Sequence, residues 1–208
     1  MPQPSAPENQ WEPAIQEFER QDRVAPPPRG ATLFVGSSSI ARWDTLQQDF
    51  PFASTLQRGF GGSRLDDSVH FADRIIIPYA PGAVVVYAGD NDLASGESPK
   101  EVAADFKALV RKVRDALGRV PTAFIAIKPS PARWHLDDQI RRANRLVADW
   151  TAGREALTCI DVYLPMLNAL GRPRAELYVE DGLHLSRAGY RLWTAVLTPW
   201  LQSVMCSP

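Results

Sequence analysis

Ser38 and His184 are the residues of this sequence whose types and neighbours favour nucleophilic chemistry. Ser38 lies in the segment GSSS, residues 36–39, where the glycine permits a tight turn that can hold a hydroxyl above a sheet. His184 closes the segment DGLH, residues 181–184. Its three-residue spacing from Asp181 lets that carboxylate accept the Nδ1 hydrogen of the imidazole, which leaves Nε2 free to take a proton from a hydroxyl.

Two further loops can supply hydrogen-bond donors. Gly61 and Gly62 lie in RGFGGS, residues 58–63, and bare glycine backbone can turn its N–H groups towards a ligand oxygen. Asn91 lies in GDND, residues 89–92, where its side-chain amide is a donor. Each loop alone also fits an ordinary helix cap, flexible turn or Asx turn. Together they provide a nucleophile, a base with its orienting acid and donors for an oxyanion, which is the set that acyl transfer requires.

An alternation of short apolar runs and amphipathic segments predicts the elements that position these loops. Runs that are apolar on both faces indicate strands of a parallel sheet buried between two helical layers. We predict five strands, over residues 31–35, 54–57, 83–87, 123–127 and 157–162. Right-handed crossovers between them give a doubly wound, three-layer α/β/α sandwich. In such sheets a site forms beyond the carboxyl ends of the strands, where the loops GSSS, RGFGGS and GDND lie.

The helices carry their own sequence signals. The segment SPKE, residues 98–101, is a capping box that begins a helix, and Gly118 ends it. Further helices are predicted over residues 137–150 and after Ser186. Seven of the 18 prolines fall within the first 28 residues. We therefore predict a proline-rich N-terminal arm over residues 1–30, with a short helix over 11–20, followed by a single domain over residues 31–208.

Composition excludes several classes of partner. The net charge is −1, from 23 basic and 24 acidic residues, which does not favour nucleic acid or an anionic membrane surface. No apolar run reaches the length of a membrane span. The two cysteines, Cys159 and Cys206, make neither a disulfide framework nor a metal site. The N-terminus has no basic start and no apolar stretch, so the sequence as it stands predicts a cytoplasmic protein rather than one with an intact signal peptide.

The ordered motifs of this chain resemble those of the SGNH hydrolases, also known as GDSL-like lipases and acylhydrolases. The resemblance runs from about residue 31 to the last helix and is carried by the segments FVGSSSI, RGFGGS, YAGDND, IKPSP and DGLHLSRAGY. It implies a flavodoxin-like fold with about five parallel strands, a small-molecule ester as substrate, and no metal or organic cofactor. By position, it implies that Ser38 is the nucleophile, His184 the general base and Asp181 its orienting acid. The backbone N–H groups of Ser38 and Gly62 and the side-chain amide of Asn91 would form the oxyanion hole.

The chain departs from the family pattern at one position. The aspartate that usually precedes the nucleophile is Ser37 here, and Asp90 and Asp92 are the candidates to take over a supporting role for that carboxylate. The run of serines also leaves Ser37 and Ser39 as alternatives to Ser38, although Ser38 matches the position of the motif.

Two other functions remain as alternatives. A flavodoxin-like module could hold a phosphate or flavin mononucleotide in the GSSS loop, but it would leave Asp181 and His184 without a role. A non-catalytic relative that binds an ester or a sugar would keep the motifs without turnover. Within the hydrolase hypothesis, we expect short-chain acyl or acetyl esters, with lysophospholipids and acetylated sugars as further classes. The large aromatic residues near strand ends fit either a substrate pocket or the core: Trp43, Phe60, Tyr87 and Trp134.

Overall fold

A central sheet of five parallel strands organises the computed structural model, which describes residues 10–206. The strand order is β2-β1-β3-β4-β5. In this doubly wound order, β2 lies on one side of β1 and the later strands follow on the other. This confirms the predicted three-layer α/β/α class and the strand count. The strands are β1 (Thr32–Gly36), β2 (Thr55–Gly59), β3 (Ala83–Tyr87), β4 (Thr122–Ile125) and β5 (Leu157–Ile160).

Helices connect the strands and cover both faces of the sheet. Eight α-helices lie within the described residues: α1 (Glu12–Val24), α2 (Ser38–Ala41), α3 (Leu46–Asp49), α4 (Leu65–Ile75), α5 (Asp90–Ala94), α6 (Pro99–Leu117), α7 (Asp137–Thr151) and α8 (Arg187–Met205). The predicted capping box begins α6, since the Ser98 hydroxyl accepts from the Glu101 N–H at 3.4 Å and the Glu101 carboxylate accepts from the Ser98 N–H at 2.7 Å. Ser186 caps α8, as its side chain accepts from the Gly189 N–H.

The two faces of the sheet bury separate sets of apolar side chains, because successive residues of a strand point to opposite sides. On one face, Leu33, Val35, Val84 and Val86 pack with residues of α1, α4, α6 and α7. On the other, Phe34, Val85 and Tyr87 pack with residues of α2, α3 and α8. Burial on both sides explains why β1 and β3 are apolar throughout.

The register of the three neighbouring strands aligns the loops that follow them. Gly36 at the end of β1 pairs with Gly59 at the end of β2 and with Tyr87 at the end of β3. The loops that leave these strands therefore begin at one level of the sheet. The predicted fourth and fifth strands end two residues earlier than expected, at Ile125 and Ile160, because the chain leaves the ladder there.

Helix α1 packs against the sheet domain and extends beyond the predicted 11–20. Asp22 accepts hydrogen bonds from Arg58 and, at 2.5 Å, from the Tyr79 hydroxyl. Arg74 on α4 donates to Glu12 and Glu19 of α1. The first part of the predicted arm, residues 1–9, lies outside the described residues. Across residues 10–206, every helix is too short or too polar to cross a membrane.

Candidate active site

Ser38, His184 and Asp181 form a continuous chain of hydrogen bonds at the carboxyl edge of the sheet. The Ser38 hydroxyl oxygen lies 3.1 Å from His184 Nε2, and His184 Nδ1 lies 2.6 Å from Asp181 Oδ2. The other carboxylate oxygen of Asp181 accepts from the backbone N–H groups of Leu183 and His184 at 2.8 and 2.9 Å. The hydrogen bond from His184, followed by those from the two backbone groups, holds the pKa of Asp181 far below its usual range. The carboxylate therefore stays ionised and orients Nδ1 of the imidazole.

Gly36 allows β1 to end directly beneath the serine loop. Its φ is +136°, and a Cβ at this position would lie 1.9 Å from the carbonyl oxygen of Tyr87 on β3. Only glycine lets the two strands approach so closely at this angle. The next residue, Ser37, donates its N–H to the same carbonyl at 2.9 Å. The turn is thereby attached to β3, and Ser38 follows as the first residue of α2.

The serine loop separates three hydroxyl groups by their burial. Ser37 and Ser39 are each 1% exposed, and their hydroxyl oxygens have no hydrogen-bond partner within residues 10–206. Ser38 is partly exposed and is the serine whose hydroxyl reaches His184. The structure does not give Ser37 a carboxylate partner to replace the usual aspartate. Asp92 instead accepts from the N–H groups of Leu65 and Gly89, at 2.8 and 3.0 Å.

The glycine loop after β2 lies next to Ser38. A Cβ at Gly61 would be 3.8 Å from Ser38 Cβ, within van der Waals contact. Gly62 adopts φ +85°, and a Cβ there would be 2.9 Å from the indole of Trp11. The Trp11 indole therefore covers one side of Gly62, while its Nε1 donates to Asp67 at 3.0 Å. Sequence reasoning missed this contact, since 51 residues separate the two positions and no periodicity joins them.

The Asn91 side chain lies between the glycine loop and a guanidinium group. Its Nδ2 donates to the carbonyl of Ser63 at 2.9 Å, and its Oδ1 accepts from Arg133 Nη2 at 2.9 Å. The structure thus brings Asn91 to the edge that carries Ser38 and Gly62. Arg133 was missed by sequence reasoning, and its only signal was its position soon after β4, in the loop that begins with IKPSP.

A buried cluster of charges lies behind Asn91. Lys128, which is 2% exposed, donates to the Tyr87 hydroxyl at 3.0 Å and pairs with Asp90 at 3.2 Å. Arg133 Nη1 lies 3.1 Å from the same Asp90 carboxylate. Burial raises the pKa of Asp90, but the two neighbouring cations outweigh it and hold the pKa below its usual value. Asp90 is therefore an anion that pairs with Lys128 and Arg133, and it is not a partner of Ser37.

One acidic group elsewhere could be considered for a metal ion. Carboxylate oxygens of Asp92, Glu97 and Asp105 lie within 4.8 Å of one another. Arg64 already pairs with Glu97 at 2.8 Å, and the oxygens of Asp92 are used by backbone donors. We assign no ion to this group.

Most of the aromatic residues near strand ends belong to the core. Trp43, Phe60 and Tyr87 are at most 2% exposed and pack in the two apolar layers. Trp134 is partly buried, with the guanidinium of Arg172 5.2 Å from its ring centre. The core alternative therefore holds for the first three of these residues.

The fold and the site together define a class of protein. A doubly wound parallel sheet with serine, histidine and aspartate hydrogen-bonded in series at its carboxyl edge is the arrangement of an α/β serine hydrolase. Residues 29–192 match the model of the GDSL-like lipase/acylhydrolase family. The chain therefore belongs to the GDSL-like lipase/acylhydrolase family. A search of curated proteins found no match.

Solved structures share the fold at low sequence identity. A GDSL-like lipase from Bacteroides thetaiotaomicron is 17% identical, with a TM-score of 0.76 over 91% of this chain and 97% of that one. A lipase/acylhydrolase from Enterococcus faecalis is 18% identical, with a TM-score of 0.67 over 83% and 96%. A carbohydrate esterase of family 3 from Talaromyces cellulolyticus is 17% identical, with a TM-score of 0.69 over 86% and 100%. The family match supports an ester hydrolase rather than a phosphate- or flavin-binding module.

Proposed function

We propose that this protein hydrolyses carboxylic esters through an acyl-enzyme intermediate, with Ser38 as nucleophile. The observation that carries the proposal is the unbroken series of hydrogen bonds from the Ser38 hydroxyl through His184 to Asp181. A serine hydroxyl is a poor nucleophile at its own pKa and needs an adjacent base to become reactive. His184 is within reach to be that base, and the ionised Asp181 holds its ring in the required tautomer.

The first half of the reaction forms the acyl-enzyme. His184 Nε2 takes the Ser38 proton as the hydroxyl oxygen attacks the ester carbonyl carbon. The carbonyl π electrons move to the oxygen, which becomes the oxyanion of a tetrahedral intermediate. When the intermediate collapses, the bond to the alcohol oxygen breaks and His184 gives its proton to the leaving alcohol.

The second half releases the acid. A water molecule replaces the alcohol and loses a proton to His184 as it attacks the acyl carbon. The new intermediate collapses, Ser38 leaves with the proton from His184, and a carboxylic acid is released. Neither half requires an oxidant, a reductant or a metal ion.

The oxyanion would be held by three donors on adjacent loops. They are the backbone N–H groups of Ser38 and Gly62 and the side-chain amide of Asn91. The proximity of Gly61 to Ser38 and the hydrogen bond from Asn91 to Ser63 support this grouping. Removing one such donor typically lowers turnover by about 10²–10³.

For the substrate, we propose short-chain acyl or acetyl esters, including acetylated sugars. The likeness in fold to a carbohydrate esterase is consistent with that class. The resemblance to the SGNH hydrolases adds lysophospholipids as a further class of substrate. The accessible glycines of the loop leave the edge of the sheet open to a small acyl group, as Gly61 and Gly62 are both exposed.

The test compares wild type with Ser38→Ala on p-nitrophenyl esters from acetate to laurate. Ser37→Ala is the matched control, because it removes a neighbouring hydroxyl that has no hydrogen-bond partner among the described residues. We expect turnover to vanish in Ser38→Ala, to persist in Ser37→Ala, and to fall with chain length. Circular dichroism must show that both variants are folded.

Covalent labelling gives a second readout. A fluorophosphonate should add to Ser38 of wild type, as located by mass spectrometry of peptides. Full activity of folded Ser38→Ala would refute the assignment of the nucleophile. A wild type that neither hydrolyses esters nor takes the label would refute the enzyme and leave the non-catalytic binder.

A further inference from the structure

We propose that Arg133 is a positioning residue that fixes and polarises the Asn91 amide for oxyanion binding. This inference rests on the proposed function, and it adds a residue that lies outside the segments carrying the resemblance to the SGNH hydrolases. Arg133 itself need not touch the substrate. It acts through the single hydrogen bond from its Nη2 to Asn91 Oδ1, at 2.9 Å.

The orientation of the amide follows from the chemistry of its two partners. A guanidinium group has donors and no acceptor, so the atom of Asn91 that faces Arg133 must be the carbonyl oxygen. The carbonyl of Ser63 has only acceptor capacity, so the atom that faces it must be the nitrogen. Ser63 is fully buried, which fixes that end of the arrangement. The amide therefore has one permitted orientation, and its second N–H remains for a ligand.

Charge makes this hydrogen bond more than a geometric constraint. A guanidinium that donates to the amide oxygen draws electron density from the nitrogen, which strengthens the remaining N–H as a donor. Lys128, Asp90 and Arg133 together carry one net positive charge, in a place where Lys128 is 2% exposed and the Arg133 side chain 19%. That charge reaches the amide through the hydrogen bond from Arg133, and its low exposure limits its screening by water.

Hydrogen bonds to neighbouring segments hold the loop after β4, which carries Arg133, in place. The Ala132 N–H donates to the carbonyl of Gly182 at 3.1 Å, and the Tyr178 hydroxyl donates to the carbonyl of Pro129. Gly182 belongs to the turn between Asp181 and His184. One short loop therefore contacts the turn that holds the base and, through Arg133, the amide of Asn91.

A double-mutant cycle separates this role from a general structural one. The variants are Arg133→Met, Asn91→Ala and the combination of both, assayed for kcat and KM on p-nitrophenyl acetate. We expect Arg133→Met to lower kcat by about 10–100-fold with KM within about twofold, because the loss falls on the transition state. We expect Asn91→Ala to cost about 10²–10³-fold. The kcat of the double variant should be at most about threefold lower than that of Asn91→Ala, since Arg133 acts through the amide.

Conservative variants and a remote control complete the experiment. Arg133→Lys keeps a charged donor and should recover part of the kcat lost in Arg133→Met, while Arg133→Gln keeps a donor without the charge and should recover less. Arg141→Met is the control, since that side chain is 62% exposed. It should retain wild-type rates.

The outcomes distinguish failure of this inference from failure of the proposed function. Losses that multiply in the double variant, or a change confined to KM, would overturn the role of Arg133 while the esterase stands. If Arg133→Met does not fold, the kcat of Arg133→Lys is compared with the kcat of Arg133→Gln. Equal values would overturn the part played by charge. The same double-mutant cycle can be measured without turnover, with the rate of fluorophosphonate labelling of Ser38 as the readout. A wild type without hydrolysis and without labelling would instead refute the proposed function.

Discussion

Gly62 is the position where a single methyl group should test both the packing of the loop and its proposed role. The residue has φ +85°, and an added Cβ would lie 2.9 Å from Trp11 Cη2. Gly62→Ala therefore combines two costs. An L-residue in the left-handed region loses roughly 1–2 kcal/mol relative to glycine. Forcing an extra carbon against a packed ring costs roughly a further 1–3 kcal/mol, because either the indole or the loop must move.

The sum, about 2–5 kcal/mol, is a large fraction of the stability of a typical domain but leaves most domains folded at room temperature. The matched control is Gly153→Ala. Gly153 also has a positive φ, +68°, but nothing lies within 4 Å of the added Cβ, so only the backbone cost of about 1–2 kcal/mol remains. The difference between the two variants isolates the contact with Trp11.

Urea denaturation followed by circular dichroism measures both free energies of unfolding. The Trp11→Ala background supplies the second test, because removal of the ring should reduce the cost of Gly62→Ala to that of Gly153→Ala. In kinetics, movement of the Gly62 N–H should lower kcat by up to about 10²–10³, whereas Gly153→Ala should leave it unchanged. Two outcomes would show that the ring does not restrict the loop. One is equal destabilisation by Gly62→Ala and Gly153→Ala, and the other is a cost of Gly62→Ala that does not change in the Trp11→Ala background.

Two further predictions concern stability. Burial raises the pKa of Asp92 from 3.8 to about 7, so the folded protein holds this proton more tightly than the unfolded chain. Its contribution to the free energy of unfolding is present below about pH 4 and lost as the pH rises to about 7. The free energy of unfolding of Asp92→Asn relative to wild type, measured in urea, should therefore rise between about pH 4 and pH 7. A constant difference would contradict this. Trp43 is 1% exposed among aromatic neighbours, so Trp43→Ala should cost about 3–5 kcal/mol in the same assay. Leu170→Ala, at a residue 86% exposed, should stay within about 0.5 kcal/mol of wild type, and similar costs for the two would refute the burial argument.

The fold and the three residues of the hydrogen-bonded series were accessible from the sequence for a physical reason. Runs such as AVVVY are apolar on both faces, and parallel sheets place all their exits at one edge, so polar loops after these runs must meet. His184 and Asp181 are three residues apart, so their contact depends on one local turn. Local chemistry and a regular architecture therefore carried this part of the prediction.

The supporting residues were not accessible in the same way. Lys128 follows an apolar strand, where a lysine would ordinarily reach solvent, and only the fold reveals that it is buried beside Asp90. Arg133 contacts Asn91 across 42 positions of the chain, and no spacing rule joins them. Trp11 lies in the predicted N-terminal arm, and no sequence pattern indicates that its ring covers Gly62. Long-range packing of single side chains decides such contacts, and pattern reasoning does not resolve it.

The residues of the site come from two separate parts of the chain. β1 lies between β2 and β3, so Ser38, Gly62 and Asn91 all come from the first half of the sequence and leave strands that end at one level. His184 comes from a separate turn near the C-terminus. In the proposed mechanism, the donors for the oxyanion and the general base therefore come from separate parts of the chain. A descendant that lost only the His184 side chain would keep the proposed donors for a carbonyl or carboxylate oxygen, and so could become a receptor without rebuilding the sheet.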